Sequence, residues 1–189
     1  MNEVILFDLE FTAWEGSQNR NWSGTDEHRE IVQIGALCLD TENLLELATF
    51  ERLVQPRINP RLSTYFTDLT GISNEDVQVS GVPFAHAFQD FLDFASARCF
   101  FCYGTDEDVL RENLLLNKMF LTGLPMVHDL RNWFRGHGVD VENVNSGHLT
   151  NALGCQTPVN HREHNALSDC RSILNAVKFI VSSGAPTPF

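Results

Sequence analysis

The sequence predicts an α/β fold in which a mixed β-sheet is flanked by α-helices. Two observations carry this prediction. The N-terminal part of the chain holds three apolar runs separated by polar segments, a pattern typical of an antiparallel meander. Beyond Pro83 the apolar residues instead recur at helical spacing, with one further short apolar run between the helical segments. Strands first, followed by alternating helices and strands, indicate a mixed sheet covered by helices.

The predicted strands are short apolar runs bounded by turn residues. The N-terminal three cover residues 4–11, 31–39 and 47–54. The first of them is interrupted only by Asp8 and Glu10, and its length and composition favour a buried strand. Residues 16–30 are polar and rich in Ser, Asn and Gly, which predicts a loop. A fourth strand is predicted over residues 99–103, where Gly104 ends it.

Three helices are predicted from apolar residues that share one helical face. The first follows Pro83, a residue suited to a first helical turn, and its face contains Phe84, Phe88, Phe91, Leu92 and Ala95. The second begins behind Gly104 with Val109 and Leu110. The third is an amphipathic stripe within residues 165–181 that contains Ala166, Cys170, Ile173, Val177 and Ile180.

The composition predicts one globular domain over residues 1–189. Hydrophobic residues make up 43% of the chain and charged residues 20%, and 189 residues suffice to bury a core. No apolar run approaches the ~20 residues that span a bilayer. The N-terminus lacks the basic start of a secretory signal, so a cytoplasmic location is expected.

The five cysteines are odd in number and scattered through apolar segments, which predicts buried free thiols in a reducing compartment. Cys99 and Cys102 have the spacing of half a zinc site. No second such pair exists in the sequence, and two phenylalanines lie between them. Core cysteines are therefore the favoured interpretation.

The formal net charge of −12, from 13 Lys and Arg against 25 Asp and Glu, bears on possible partners. Proteins that grip long duplexes normally carry a basic stripe that displaces counterions from the phosphates. Any nucleic-acid substrate is therefore expected to be short or single-stranded and held at a local site. Part of the negative charge is expected to serve as metal ligands.

Asp8 and Glu10 form the first candidate element of a site. Side chains two residues apart on a strand point to the same face, with backbones ~6.5 Å apart, so both carboxylates can contact one cation. Buried charges without a partner cost several kcal/mol, which favours a metal ion here. The alternative is an amphipathic strand with its polar face in water. Leu6 shares that face and weakens this alternative.

Two further elements contain an acid near a helix start. In the segment from Tyr103 to Leu110, Asp106 and Asp108 follow a strand, although acids in a first helical turn are also ordinary complements of the helix dipole. The other element is His164 followed five residues later by Asp169, which adjoins the apolar stripe of the last helix. A single His and Asp with this spacing are common by chance, so they indicate a site only together with the other acidic elements.

Together these elements resemble the DnaQ-like 3′–5′ exonucleases of the DEDDh type, in the superfamily of RNase T and oligoribonuclease. That family has a ribonuclease H-like fold. Its Asp-x-Glu-x-Thr strand is matched by residues 8–12, its helix-opening aspartate by Asp106 or Asp108, and its His-x4-Asp motif by residues 164–169. We favour Asp106, because Val109 and Leu110 then follow three and four residues later.

The similarity is greatest to the Eri-type and KapD-like branch and covers nearly the whole chain. The segments that carry it are residues 14–16, 30–36, 54–56, 59–60, 62–63 and 69–73. The loop over residues 17–29 looks longer than is usual in that branch. None of the basic nucleic-acid-binding extensions of some Eri-type proteins is present in the sequence.

The resemblance implies hydrolysis of phosphodiester bonds in short or single-stranded RNA or DNA, with release of 5′-mononucleotides. It implies two divalent ions, Mg²⁺ or Mn²⁺, which prefer oxygen ligands. The implied metal ligands are Asp8, Glu10, Asp106 and Asp169, with Asp8 bridging both ions. His164 is the implied general base; its unperturbed pKa near ~6.5 suits that role.

Two alternatives to this function stay open. A non-catalytic, KapD-like regulatory protein would share the fold, but the complete set of motif residues favours catalysis. A phosphodiesterase for small dinucleotides would keep the chemistry and change the substrate. Phe11 and Trp14 are candidates both for stacking on the terminal base and for a core role. The sequence leaves RNA or DNA preference, substrate length and oligomeric state undecided.

Overall fold

The structure is a computed structural model that describes residues 2–120, 124–159 and 161–189. Within these residues, six strands form one sheet in the order β4-β3-β2-β1-β5-β6. The strands are β1 Glu3–Phe11, β2 Ile31–Asp40, β3 Leu45–Gln55, β4 Val82–Pro83, β5 Phe100–Cys102 and β6 Val127–Asp129. β1, β2 and β3 pair antiparallel, whereas β5 is parallel to β1 and β6 is parallel to β5. The mixed sheet is confirmed.

The helices pack on both faces of this sheet. Their bounds are α1 Thr64–Thr70, α2 Asn74–Ser80, α3 Phe84–Ala95, α4 Asp106–Leu116, α5 Arg131–Gly136, α6 Leu149–Leu153 and α7 Ala166–Ser182. A 3₁₀ turn, Ser146–His148, precedes α6. The three helices predicted from apolar periodicity are α3, α4 and α7. The other four have five to seven residues each, too few to produce a recognisable helical period.

The alternating side chains of β1 divide the core into two layers. Val4 and Leu6 face α7 and pack with residues such as Ile173 and Val177. Ile5, Phe7 and Leu9 face the opposite side, where they pack with residues of α3 and α4. Because β1 lies between β2 and β5, it is covered on both faces, and this burial explains its nearly continuous apolar sequence.

The beginning of α7 lies directly against β2. A Cβ atom added to Gly35 would lie 2.3 Å from the backbone nitrogen of Leu167, so only glycine leaves room for the helix at this point. Gly35 is paired with Asp8 on the neighbouring strand. This close approach brings the first turn of α7 over the acidic part of β1.

The cysteines only partly follow the prediction of buried thiols. Cys38, Cys102 and Cys170 are buried and Cys155 is partly buried, but Cys99 is exposed. The prediction is wrong for Cys99 because β5 begins only at the next residue, so Cys99 lies outside the buried strand. Among the described residues, no helix combines the length and apolar character that crossing a bilayer requires.

Candidate active site

Asp8 and Glu10 lie on the central strand and face α7. They continue the alternation that places Val4 and Leu6 in the core on this side of the sheet. The exposed fractions are 5% for Asp8 and 8% for Glu10. The alternative of an amphipathic strand with a solvated polar face is therefore wrong, because α7 covers that face.

Asp106 is brought to the same end of the sheet by the parallel pairing of β1 and β5. Parallel strands present their carboxyl ends at one edge, and Asp106 opens the helix that follows β5. The chain reverses at Gly104, whose φ of 112° is a conformation that only glycine adopts readily. Asp106 is buried, with 6% exposed, whereas Asp108 is exposed. Of the two candidates, the structure thus brings Asp106 to the other acids.

Asp169 and His164 come from the start of α7. Asn165 caps this helix by accepting a hydrogen bond from the backbone N–H of Ser168. His164 precedes the cap with a φ of 56°, in the left-handed region, and this turn directs the chain back toward β1. Asp169 is buried in the first turn of the helix, with 3% exposed.

Gln33 fixes the beginning of α7 against the sheet. It is paired with Glu10 across β1 and β2, and its Oε1 accepts a hydrogen bond from the backbone N–H of Ala166 at 2.9 Å. Its Nε2 donates to Glu51 Oε1 at 2.9 Å, an oxygen that also accepts from Asn165 at 3.3 Å. No pattern in the sequence indicated this role for Gln33, since a single glutamine on a strand carries no periodic signal.

The acids are close enough to raise one another's pKa. Ligand atoms of Glu10, His164 and Asp169 lie within 4.8 Å of one another. Burial raises the pKa of Glu10 well above its usual value, and the charges of Asp8, Asp169 and Asp106 raise it further. Burial likewise raises the pKa of Asp8 to about 7, although a hydrogen bond from Ser146 opposes the shift. Burial and the charge of Asp8 raise the pKa of Asp169 to about 9.

This cluster fits divalent metal ions. Asp169 Oδ1 is buried and has no hydrogen-bond partner in the described part of the chain, an arrangement that costs ~1–3 kcal/mol or more unless a ligand binds it. Within residues 2–120, 124–159 and 161–189, no Lys or Arg forms an ion pair with any of the four carboxylates. A group of buried carboxylate oxygens without a protein cation is the donor set that Mg²⁺ or Mn²⁺ prefers.

The 3₁₀ turn at Ser146–His148 supports the acids from outside β1 and α7. The Ser146 side chain lowers the pKa of Asp8, and a Cβ atom added to Gly147 would lie 2.8 Å from Asp169 Oδ1. His161 holds this turn in place: its Nε2 lies 2.9 Å from Gly147 O, and its Nδ1 lies 2.7 Å from Ser168 Oγ. Both ring nitrogens of His161 are therefore engaged, whereas the ring of His164 has no hydrogen-bond partner among the residues that the structure describes. Nothing in the sequence marked this turn.

His164 is the histidine beside the acids. Burial lowers its pKa below 6.5; the neighbouring Glu163 raises it and His148 lowers it further. A lowered pKa favours the neutral imidazole, the form that a proton acceptor requires.

The two aromatic candidates differ in packing. Phe11 contacts the core and lies 5.5 Å from the ring of Trp22, whereas Trp14 is half-buried.

The stability of the metal-free protein should fall as pH rises from about 5 to about 9. The folded-state pKa values of Asp8 and Asp169, about 7 and about 9, exceed the unfolded value of ~3.9, so the folded state binds more protons in this window. The melting temperature in EDTA should drop by several degrees, since 1 kcal/mol corresponds to about 2–4 °C in a domain of this size. Saturating Mn²⁺ should reverse the drop.

Calorimetry at intervals across this pH range measures both effects. The matched control is Asp8→Asn, whose metal-free melting temperature should fall less steeply because one titrating carboxylate is gone. Equal slopes for Asp8→Asn and the unmodified chain would contradict the assignment of Asp8 to the titrating cluster.

The sequence is similar to those of known exonucleases. A family model described as an exonuclease, that of RNase T, matches residues 5–177. The 3′-5′ exonuclease Snipper of Drosophila melanogaster is 34% identical over 88 residues, which are 47% of this chain and 30% of Snipper. ERI1 exoribonuclease 2 of Xenopus laevis is 32% identical over 88 residues, 47% of this chain and 12% of that protein. The chain thus matches less than a third of the length of either relative.

Solved structures share the fold over nearly the whole chain. The nuclease domain of 3′hExo, described as a DEDDh family member bound to rAMP, has a TM-score of 0.82 at 19% identity, covering 98% of this chain and 94% of that one. The cell-death related nuclease CRN-4 has a TM-score of 0.78 at 17% identity, covering 98% of this chain and 66% of that one. The mixed sheet with flanking helices is accordingly ribonuclease H-like.

Proposed function

The chain belongs to the RNase T family of exonucleases, and from this premise we propose that it removes nucleotides one at a time from the 3′ end of a short or single-stranded nucleic acid. The products would be 5′-mononucleotides. The observation that carries the proposal is the cluster of four buried carboxylates with His164 beside it. A non-catalytic protein of this fold would have no reason to maintain so costly a cluster.

Asp8, Glu10, Asp106 and Asp169 would hold two divalent ions, Mg²⁺ or Mn²⁺. Bound there, these ions would activate the attacking water and stabilise the charge that develops on the leaving 3′ oxygen. The low exposure of the four carboxylates would keep competing water out of the site. Gln33 and the turn at Ser146–His148 would hold α7 and the acids in position, because their hydrogen bonds connect the elements that carry them.

His164 would accept the proton of the attacking water. A ring nitrogen of His164 lies within 4.8 Å of carboxylate oxygens of Glu10 and Asp169, so a water bound at these acids is within its reach. His161 is unsuited to this role, because Gly147 and Ser168 already occupy both of its ring nitrogens. A positioned general base contributes ~10²–10⁴-fold to the rate.

The net charge of −12 supports a short or single-stranded substrate. Most of the arginines other than Arg131 form ion pairs with acids of the protein, which leaves little positive charge for a duplex backbone. The same observation favours one second candidate, a phosphodiesterase for dinucleotides. The two candidates share the site and differ only in the length of substrate they hydrolyse best.

The deciding experiment is incubation of the protein with 5′-labelled RNA and DNA oligonucleotides of two to about ten nucleotides. With Mn²⁺, the proposal expects a ladder of products shortened by one nucleotide at a time, and with EDTA it expects none. Cleavage confined to dinucleotides would favour the second candidate. The absence of any cleavage in Mg²⁺ or Mn²⁺ would leave only the regulatory alternative.

The two neighbouring acids at the start of α4 should differ sharply when each is changed to asparagine. Asp106→Asn should reduce kcat by about 10²-fold or more, because Asp106 is buried among the other acids and loses a ligand charge. Asp108→Asn should have almost no effect, since Asp108 is exposed. Single-turnover rates in Mg²⁺ measure both. An inactive Asp108→Asn variant together with a fully active Asp106→Asn variant would show that the second motif is assigned to the wrong residue.

A further inference from the structure

Arg131 is a basic side chain beside an otherwise acidic site. It is the first residue of α5, and its side chain is about one-third exposed, at 33%. β6 is parallel to β5, with Asp129 paired to Cys102, so the residues that follow the two strands lie at the same edge of the sheet. Asp106 follows β5 and Arg131 follows β6.

Asp129 fixes the orientation of Arg131. Its Oδ2 accepts a hydrogen bond from Arg131 Nε at 2.8 Å, and its Oδ1 accepts from the backbone N–H of Arg131 at 2.9 Å. The same Oδ1 accepts from the backbone N–H of Gly104 at 3.1 Å. Gly104 lies two residues before Asp106, so one carboxylate ties the guanidinium to the chain segment that carries the second motif.

The terminal nitrogens of Arg131 remain available to a ligand. In the described part of the chain, its Nη atoms donate to no protein acceptor, because the contact with Asp129 uses Nε. Arg135, one turn later on α5, is different: its two Nη atoms donate to Asn132 and Glu142, each at 2.7 Å. A guanidinium held at Nε with both Nη atoms free suits two-point recognition of a phosphate.

The surface between Asp106 and Arg131 is open at Gly104. A Cβ atom added to Gly104 would meet no heavy atom within 4 Å in the described part of the chain, its sequence neighbours apart. A polymer backbone can therefore pass close to the protein backbone at this position. The exposed Thr105 adjoins the same opening.

We propose that Arg131 binds the phosphate next to the scissile one, on the strand that leaves, with the substrate backbone passing over Gly104. This inference rests on the proposed function and adds a binding site to it. Phosphate contacts from arginine fix the register of a strand without reading its bases. The contact would therefore act equally on RNA and DNA and would favour substrates that contain at least one phosphate besides the scissile one.

The length dependence of cleavage tests this site. A dinucleoside monophosphate contains only the scissile phosphate, and a trinucleoside diphosphate adds the one assigned to Arg131. In the unmodified chain, the added phosphate should raise kcat/KM by about tenfold or more, the usual contribution of a charge-assisted hydrogen-bonded contact. The comparison is made once with substrates built from uridine and once with substrates built from thymidine, which distinguishes an effect on RNA from one on DNA.

Three variants supply the controls. In Arg131→Gln the added phosphate should no longer raise kcat/KM. In Arg131→Lys it should still raise kcat/KM in part, because the charge is retained. Arg135→Gln removes the same charge from the same helix and should keep the whole gain, since its guanidinium is already occupied. Each variant is judged by the ratio of its kcat/KM values for the two substrates, so a general loss of activity leaves this ratio unchanged.

Binding of a fluorescein-labelled octanucleotide in Ca²⁺, followed by anisotropy against salt, gives a readout that needs no cleavage. Arg131→Gln should reduce the slope of log K against log salt by about 0.7, the value for one phosphate contact on a single strand. The inference would be overturned if Arg131→Gln kept both the gain in kcat/KM and the salt dependence of the unmodified chain. It would also be overturned if Arg135→Gln lost as much of either quantity as Arg131→Gln.

Failure of the proposed function is distinguishable from failure of this inference. If the unmodified chain binds the octanucleotide but cleaves nothing, the proposed function fails and the anisotropy result alone decides the role of Arg131. If it neither cleaves nor binds, both are overturned.

Discussion

Replacing Asp8 with asparagine is expected to reduce kcat by about 10³-fold or more, since the proposed metal site would lose one of its four carboxylate ligands and with it several kcal/mol of transition-state stabilisation. The fold should survive the change. Asparagine has almost the same volume as aspartate, and the substitution removes a buried negative charge from the cluster of carboxylates. The metal-free variant should therefore melt higher than the unmodified chain, by about 3–6 °C.

Single-turnover cleavage of a labelled oligonucleotide and calorimetry in EDTA measure the two effects together. Asp93→Asn is the matched control, because Asp93 is exposed on α3, on the opposite face of the sheet, and should change neither quantity. Full activity of Asp8→Asn in Mg²⁺ would disprove the two-ion interpretation. A lower melting temperature in EDTA would show that Asp8 stabilises the fold in some other way.

Replacing His164 with alanine should lower kcat by about 10²–10⁴-fold at neutral pH, the usual contribution of a general base. The four carboxylates proposed as metal ligands remain in this variant, so Mn²⁺ affinity measured by calorimetric titration should change far less than the rate. His86→Ala is the matched control, because His86 is exposed on α3. This separation of rate from metal affinity distinguishes a base from a residue that shapes the metal site.

The pH dependence of the rate provides an independent check on His164. Burial lowers the pKa of His164 below 6.5, and only the neutral imidazole accepts a proton. The rate of the unmodified chain should therefore rise with pH up to a value below ~6.5 and then level off. In His164→Ala this rise in rate with pH should be lost. If the variant keeps both the rate and its rise with pH, His164 is structural and its assignment as the base is wrong.

The local elements of the fold follow from short-range patterns in the sequence. The apolar run around Asp8 and Glu10 predicted the strand that became β1, and the faces of α3 and α7 followed from their helical periods. The two acids stood out for a physical reason: charges inside a buried strand are costly, so they indicate a ligand. The candidate ligands and His164 were all predicted from such local signals and from family resemblance.

The local sequence favoured Asp106 over Asp108, but the burial of only one of them was decided by the tertiary structure. Asp106 and Asp108 lie two residues apart, and both fit the first turn of a helix. The parallel pairing of β5 with β1 determines that Asp106 is buried beside Asp8 and that Asp108 remains in solvent. Strand pairing is a long-range interaction, and no local pattern of residues specifies it.

The residues around the acids were decided in the same way. Gln33 contacts Ala166 across 133 positions of the chain, and Asp129 connects Gly104 with Arg131. Ser146 and Gly147 contact Asp8 and Asp169 from a turn with no sequence signature. A single hydrogen bond between distant residues leaves no periodicity. The sequence therefore predicted the candidate catalytic groups, and only the folded chain revealed the groups that hold them in place.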